Sequence, residues 1–148
     1  EALNNLAVLN EEKEKIEAIT NRTLRRSMNN EYLVSLPHNY RNLIELEIAT
    51  DFTMVYENVI GFRASTCSPF LFYDLDYEIV TPLKIHPISL TTKGLNKTST
   101  SKKTETIQKM MESVKKVNGT FSMIFDNYNF MNSKKNSVLK IIFSEINK

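Results

Sequence analysis

Cysteine is almost missing from this chain. Cys67 is the single one in 148 residues, so no internal disulfide can staple the fold. That scarcity suits a cytosolic chain or one domain of a larger protein. No run of about eighteen apolar residues occurs, so no membrane span is expected, and no basic-then-apolar leader opens the sequence. The chain begins at Glu1 already heading into a helix, as a fragment or the ordered part of something longer would. An excess of one charge is lacking too. Nineteen Lys and Arg against seventeen Asp and Glu leave a net charge of +2, without the clustered basic face that a nucleic-acid partner requires. Histidine is limited to His38 and His86, far apart and in no ligand pair at helical or hairpin spacing.

What is present is ordinary globular material. Hydrophobic residues make up 41% and charged residues 24%, enough for a core and, at this length, for one domain over residues 1–148. Asn10 followed by Glu11, Glu12 and Glu14 reads as a helix start with acidic residues in its first turn. Leu9, Ile16 and Ile19 would form its buried stripe and Asn21 its stop. A short strand is expected at Thr23 to Arg26. Pro37 opens a second helix whose face is Tyr40, Leu43, Ile44 and Ile48, and a strand from Phe52 to Tyr56 follows.

Gly61 to Pro69 reads as a loop. The apolar patches Phe70–Tyr73 and Tyr77–Val80 flank a turn at Asp74 to Asp76, and Leu83 to His86 alternates like a strand that Pro87 ends. The Lys/Ser/Thr tract from 97 to 104 reads as a solvated surface connection. A helix from Glu105 to Lys116 follows, with Ile107, Met110, Met111 and Val114 on one side and a cap at Asn118-Gly119. A strand from Thr120 to Phe125 precedes a last helix, Ser133 to Ile146, with Val138, Ile141, Ile142 and Ile146 turned inward. Alternation of this kind predicts an α/β fold with a largely parallel sheet, or part of a β/α barrel.

One stretch is more specific. Gly61-Phe62-Arg63-Ala64-Ser65-Thr66, then Pro69-Phe70 and Phe72-Tyr73-Asp74-Leu75, resembles a string found in one group of NodB-type polysaccharide deacetylases. The likeness extends upstream through Pro37, Tyr40-Arg41-Asn42-Leu43-Ile44 and Asp51-Phe52-Thr53-Met54. Downstream it runs through Thr81, Leu83, Ile85-His86-Pro87 and Asn118-Gly119-Thr120-Phe121. It covers the chain from about Glu12 to its end and corresponds to the second half of the family's domain. The fold it implies is the C-terminal portion of a NodB-like deformed (β/α) barrel, with alternating helices and mostly parallel strands.

Such enzymes remove acetyl groups from N-acetylated sugars. A divalent metal such as zinc polarises the amide and activates water, an aspartate acts as base, and a histidine protonates the leaving amine. By resemblance Arg63, with Pro69 six positions on, takes the role of the arginine that orients the base. Pro69, Phe70, Phe72 and Tyr73 become candidate glycan contacts. The metal ligands belong to the first half of the family's fold, so the resemblance implies no metal site and no cofactor in this chain. The divalent metal is expected only with an upstream half.

Other positions depart from the pattern. Phe125-Asp126-Asn127 stands where the group has Trp-His-Asn, so Asp126 occupies the place of the proton donor, and ordinary carboxylates are ionised at neutral pH. Ser27-Met28-Asn29-Asn30 stands where a Ser-Arg-Gln-His string is expected, and Thr91-Thr92 where an aspartate is usual. Plainer readings exist for each residue. Arg63 serves equally as a buried arginine fixing its loop, Asp126 as a strand-end carboxylate facing solvent, and the aromatic cluster as core.

Three functions are therefore carried forward. The first is a deacetylase-like protein without hydrolase activity in this form, binding an acetylated glycan or serving as a structural part. The second is the back half of a working metal-dependent deacetylase whose metal site lies upstream. The third is a small interaction domain sharing only the α/β pattern. Half a barrel leaves sheet edges open, so a missing segment, a homodimer or a rearranged sheet is expected.

Overall fold

The computed structural model describes residues 4–97, 100–126 and 144. The chain divides into two compact units, Glu1–Met54 with Pro69–Pro87 and Val55–Ser68 with Ile88–Lys148. The class is mixed α/β with mostly parallel strand pairs, and no closed barrel forms among the described residues.

In the first unit, helix α1 spans Leu6–Thr20. It starts earlier than expected because Asn5 is the cap, its side chain accepting from the Ala7 and Val8 amides. Asn21 ends it in the left-handed conformation, φ 51°. The expected stripe holds only at Leu9. Ile16 and Ile19 are exposed, the latter by 84%, and the half-buried positions are Leu6, Leu9, Asn10, Lys13 and Glu17. Those follow the helical three-and-four spacing, one step round the helix from the isoleucines. Glu17 then ties the next segment down by accepting from the Leu24 amide at 2.8 Å.

Helix α2, His38–Glu45, buries Asn39, Tyr40 and Leu43. Its end is a Schellman turn: Glu47 takes φ 58°, the Glu47 amide donates to the Ile44 carbonyl, and the Ile48 amide donates to the Leu43 carbonyl. Ile48 is buried as expected, from just beyond the helix rather than within it.

Four strands make this unit's sheet: β1 Arg26–Ser27, β2 Thr50–Asp51, β3 Phe70–Asp74 and β4 Ile79–Ile85, in the order β1-β2-β4-β3. The first two pairings are parallel and β3 with β4 is an antiparallel hairpin. Strand β2 sits before the expected Phe52 to Tyr56. The Asp51 carboxylate accepts from both the amide and the hydroxyl of Thr53, so a side chain satisfies backbone that a ladder would otherwise pair.

Within the hairpin the register shifts between Leu71 and Tyr73, opposite Pro82. Proline has no ladder donor; the Thr81 hydroxyl instead donates to the Phe72 carbonyl at 2.8 Å. Leu83 and Ile85 point inward and are fully buried.

The second unit is built from β5 Leu90–Thr91, helix α3 Thr92–Lys97, helix α4 Thr100–Lys116 and β6 Met123–Ile124, with β5 and β6 parallel. Leu90, Leu95 and Ile107 form its core, with Ile60, Met110, Met111 and Phe121 packed against them. The tract expected as a surface connection is helical from Thr100 onward. Lysine is a good helix former and keeps its charge in water from an outward face. The last expected helix, Ser133 to Ile146, lies outside the described residues apart from Ser144.

Candidate functional site

Parallel strands present their carboxyl ends on one side, where α/β folds gather functional groups. In the second unit those ends carry Thr91, Thr92 and, two residues past β6, Asp126. The Thr92 hydroxyl donates to the Asp126 carboxylate at 2.7 Å. Thr92 is buried and Asp126 exposed. The Thr91 hydroxyl donates to the Glu57 carbonyl at 2.6 Å and accepts from the Gly94 amide at 3.0 Å. Lys93 reaches the Glu57 carboxylate at 2.8 Å, which holds that carboxyl below its usual range. Of the three stretches at which the sequence departs from the string it resembles, two therefore meet, Thr91-Thr92 and Asp126.

The loop from Gly61 to Ser68 is the other feature of this unit. Its amide at Gly61 donates to the Ser89 carbonyl at 2.8 Å, and its Cys67 carbonyl accepts from the Thr120 amide at 3.1 Å. Between these anchors the chain turns at Phe62 to Ser65, the Ser65 amide donating back to the Phe62 carbonyl with Ser65 at φ 57°. Arg63 lies in that turn, half-buried.

Cys67 fits because Gly119 has no side chain: a Cβ built there would overlap the Cys67 sulfur. Here the α4 cap differs from expectation in detail. Asn118 takes the left-handed position, φ 51°, and Gly119 follows it, donating to the Val114 carbonyl. The glycine is needed for the close approach rather than for the turn.

Between this loop and α4 lies a pocket of about 800 Å³. From α4 it is lined by Thr106, Lys109, Met110, Ser113 and Val114, and just past the helix by Val117, a stripe at three-and-four spacing. The loop contributes Phe62 and a row of small polar side chains, Ser65, Thr66, Cys67 and Ser68. Sequence reading missed this pocket, having assigned Met110 and Val114 to a core face alone. The signal available was the hydroxyls of Thr106 and Ser113, seven positions apart on that same face.

The first unit holds the other candidates. Pro69 and Tyr73 are exposed, the latter by 46%, Phe70 is half-buried, and Phe72 is buried edge-on against Tyr40 with ring centroids 5.0 Å apart. Asp51 is 1% exposed and accepts from the Thr53 amide at 2.9 Å, the Thr53 hydroxyl at 2.7 Å and the Tyr40 hydroxyl at 3.4 Å. Burial pushes its carboxyl up, against the pull of those neutral donors.

Arg41, which the sequence marks only as part of a string and not as a partner of Asp74, grips Asp74 through two bonds of 2.6 and 2.7 Å. It bonds Asp76 at 2.7 Å and lies 4.3 Å from the Tyr77 ring centre. The Arg41 guanidinium holds the Asp74 carboxyl below its usual range, and Asp74 with Asp76 raises Arg41 in turn. Nothing local announces this clamp, since Arg41 and Asp74 are brought together only by the packing of α2 on β4 and its hairpin.

His38 is the exposed first residue of α2. His86 sits just past β4, its amide donating to the Asp51 carbonyl at 2.9 Å and its ring 4.9 Å from that of Phe52. Burial, then Lys84 and Arg26, lower its pKa. Among the described residues no three His, Cys, Asp or Glu side chains gather as a donor set for a metal ion. No described helix is long and apolar enough to cross a membrane. Compared with known proteins, the chain matches no family model, no curated protein and no solved structure.

Proposed function

We propose that this chain is a polysaccharide deacetylase-like protein of the NodB type. In this reading its hydrolytic apparatus is incomplete, and it binds an acetylated glycan without cleaving it. The reading begins from the ordered series of family-like strings around Arg63 and Pro69. It takes the α/β alternation as a portion of a deformed (β/α) barrel.

The observation that carries the functional part is the Thr92–Asp126 hydrogen bond. These are the positions where the resemblance leads one to expect an aspartate and a histidine. A hydroxyl donating to a carboxylate supplies neither the proton donor for a leaving amine nor a base free to act on water. Arg63 would then fix its loop rather than orient a base. Glycan contact falls to Tyr73 and Phe70, since a ring must be open on one face to stack on a sugar and Phe72 is consumed by the core.

The test is a titration of the chain with an N-acetylated chitooligosaccharide, followed by nuclear magnetic resonance. Saturable shifts centred on Tyr73, lost in Tyr73→Ala while the remaining spectrum is unchanged, are expected. Absence of any shift at millimolar glycan would overturn the binding role. The back half of a working enzyme is the outcome that turnover would select instead.

A further inference from the structure

The pocket between the Phe62–Ser68 loop and α4 plays no part in the proposed glycan contact or in the Thr92–Asp126 pair. Three properties make it a site rather than a gap in packing. It is preformed: the loop is anchored through the Gly61 amide and the Cys67 carbonyl, and Cys67 is wedged against Gly119. The opposite wall is anchored, because α4 is held from behind by fully buried Ile107 in the unit's core. It is a groove open to solvent, and its volume of about 800 Å³ falls within the range of small-ligand sites.

The lining also defines what it would accept. The floor is apolar, made by Phe62, Met110, Val114 and Val117, and the last of these is 64% exposed. Hydroxyls border it from both walls, Ser65, Thr66 and Ser68 on the loop and Thr106 on the helix. Its one charged side chain, Lys109, is bound to Glu105 at 2.6 Å. Both side chains stay largely in water, 72% and 62% exposed, with their charges offset, so the site holds no buried countercharge for an ionic ligand. The lining runs from Thr106 to Val117, three turns of helix or roughly 16 Å, so the site is long rather than round.

We propose that this pocket binds an uncharged, elongated amphipathic small molecule. Its alkyl or acyl body would lie along Met110, Val114 and Val117, and a hydroxyl or amide head would reach the loop hydroxyls. The site is independent of the deacetylase-like reading and stands if that reading fails.

Cys67 borders the pocket and is the only cysteine, so its alkylation reports occupancy. The probes are 1-octanol, octanoate and octylamine, equal in body and different in charge. At about ten times its Kd, 1-octanol is expected to slow iodoacetamide labelling of Cys67 about ten-fold, with the two charged probes far weaker. The Met110 methyl resonance should shift saturably with the alcohol, whether or not Cys67 labels readily. Ser113→Trp, which fills the pocket from an exposed helix position, should abolish both effects while the unfolding midpoint is unchanged. Equal protection by all three probes, or protection that survives Ser113→Trp, would overturn the site, as would an unmoved Met110 resonance.

Discussion

The two units use polar side chains in opposite ways. In the first, charges are drawn inward and spent on structure: Arg41 closes on Asp74 and Asp76 and stacks on Tyr77, and Asp51 is shut in with Thr53 and Tyr40. In the second, the conspicuous polar groups are hydroxyls, at the strand ends in Thr91 and Thr92 and around the pocket. A buried charge is costly unless fully paired, so its presence marks a fixed scaffold. Hydroxyls can give or accept and cost less to leave in water, so a surface of them suits a changing occupant. In the first unit the charged cluster therefore marks architecture, and the proposed contacts are uncharged in both units, the Tyr73 and Phe70 rings in one and the pocket hydroxyls in the other.

The largest loss is expected at the core of the first unit. Leu83→Ala, at a fully buried position of the four-stranded sheet, should cost about 2–5 kcal/mol in chemical denaturation. Next in size is Arg41→Ala, which strands the buried Asp74 and should lower the unfolding midpoint far more than Lys93→Ala does at the surface. The Arg41 change also has a pH signature. Asp74 titrates below its unfolded value, so its contribution is present above the ordinary carboxylate range and lost as pH falls through the lowered value. Without Arg41 that acid loss should flatten.

Gly119→Ala sharpens the account of the second unit. Overlap with Cys67 should cost about 1–3 kcal/mol, and Cys67→Ala in the same chain should recover part of it, read as a double-mutant coupling. The smallest effect is expected at Asp51. Its carboxyl titrates above its unfolded value, so its stabilising contribution is complete below the ordinary carboxylate range and is lost as pH rises through the raised value. Asp51→Asn can keep the Thr53 bonds, with the hydroxyl turned to accept. It should leave stability near neutral pH equal or higher and remove that part of the pH dependence in a midpoint-versus-pH series.

Local signals were legible wherever the chain makes its own structure. Asn21 and Asn118-Gly119 announced helix ends, Pro37 a helix start, and Pro87 the end of a strand, because each acts through its own backbone. What escaped depended on distant partners. The inward face of α1 was misread because Ile16 and Ile19 are apolar, yet their helix turns Lys13 and Glu17 toward the unit instead. Strand β2 was displaced by a side-chain bond between Asp51 and Thr53 that no periodicity records. At the candidate site, Thr91-Thr92 and Asp126 could be named singly from a resemblance. Their meeting followed only from the parallel pairing of β5 with β6. The α4 stripe was hidden because its hydroxyls alternate with core residues on neighbouring faces.

The proposal that the chain lacks hydrolytic activity, which rests on the Thr92–Asp126 pair at the strand ends, stands or falls on acetate release. The chain would be incubated with an N-acetylated chitooligosaccharide and zinc or cobalt, and acetate measured against a protein-free blank. The account predicts release no faster than the blank with either metal. Metal-dependent turnover that chelation abolishes would contradict it.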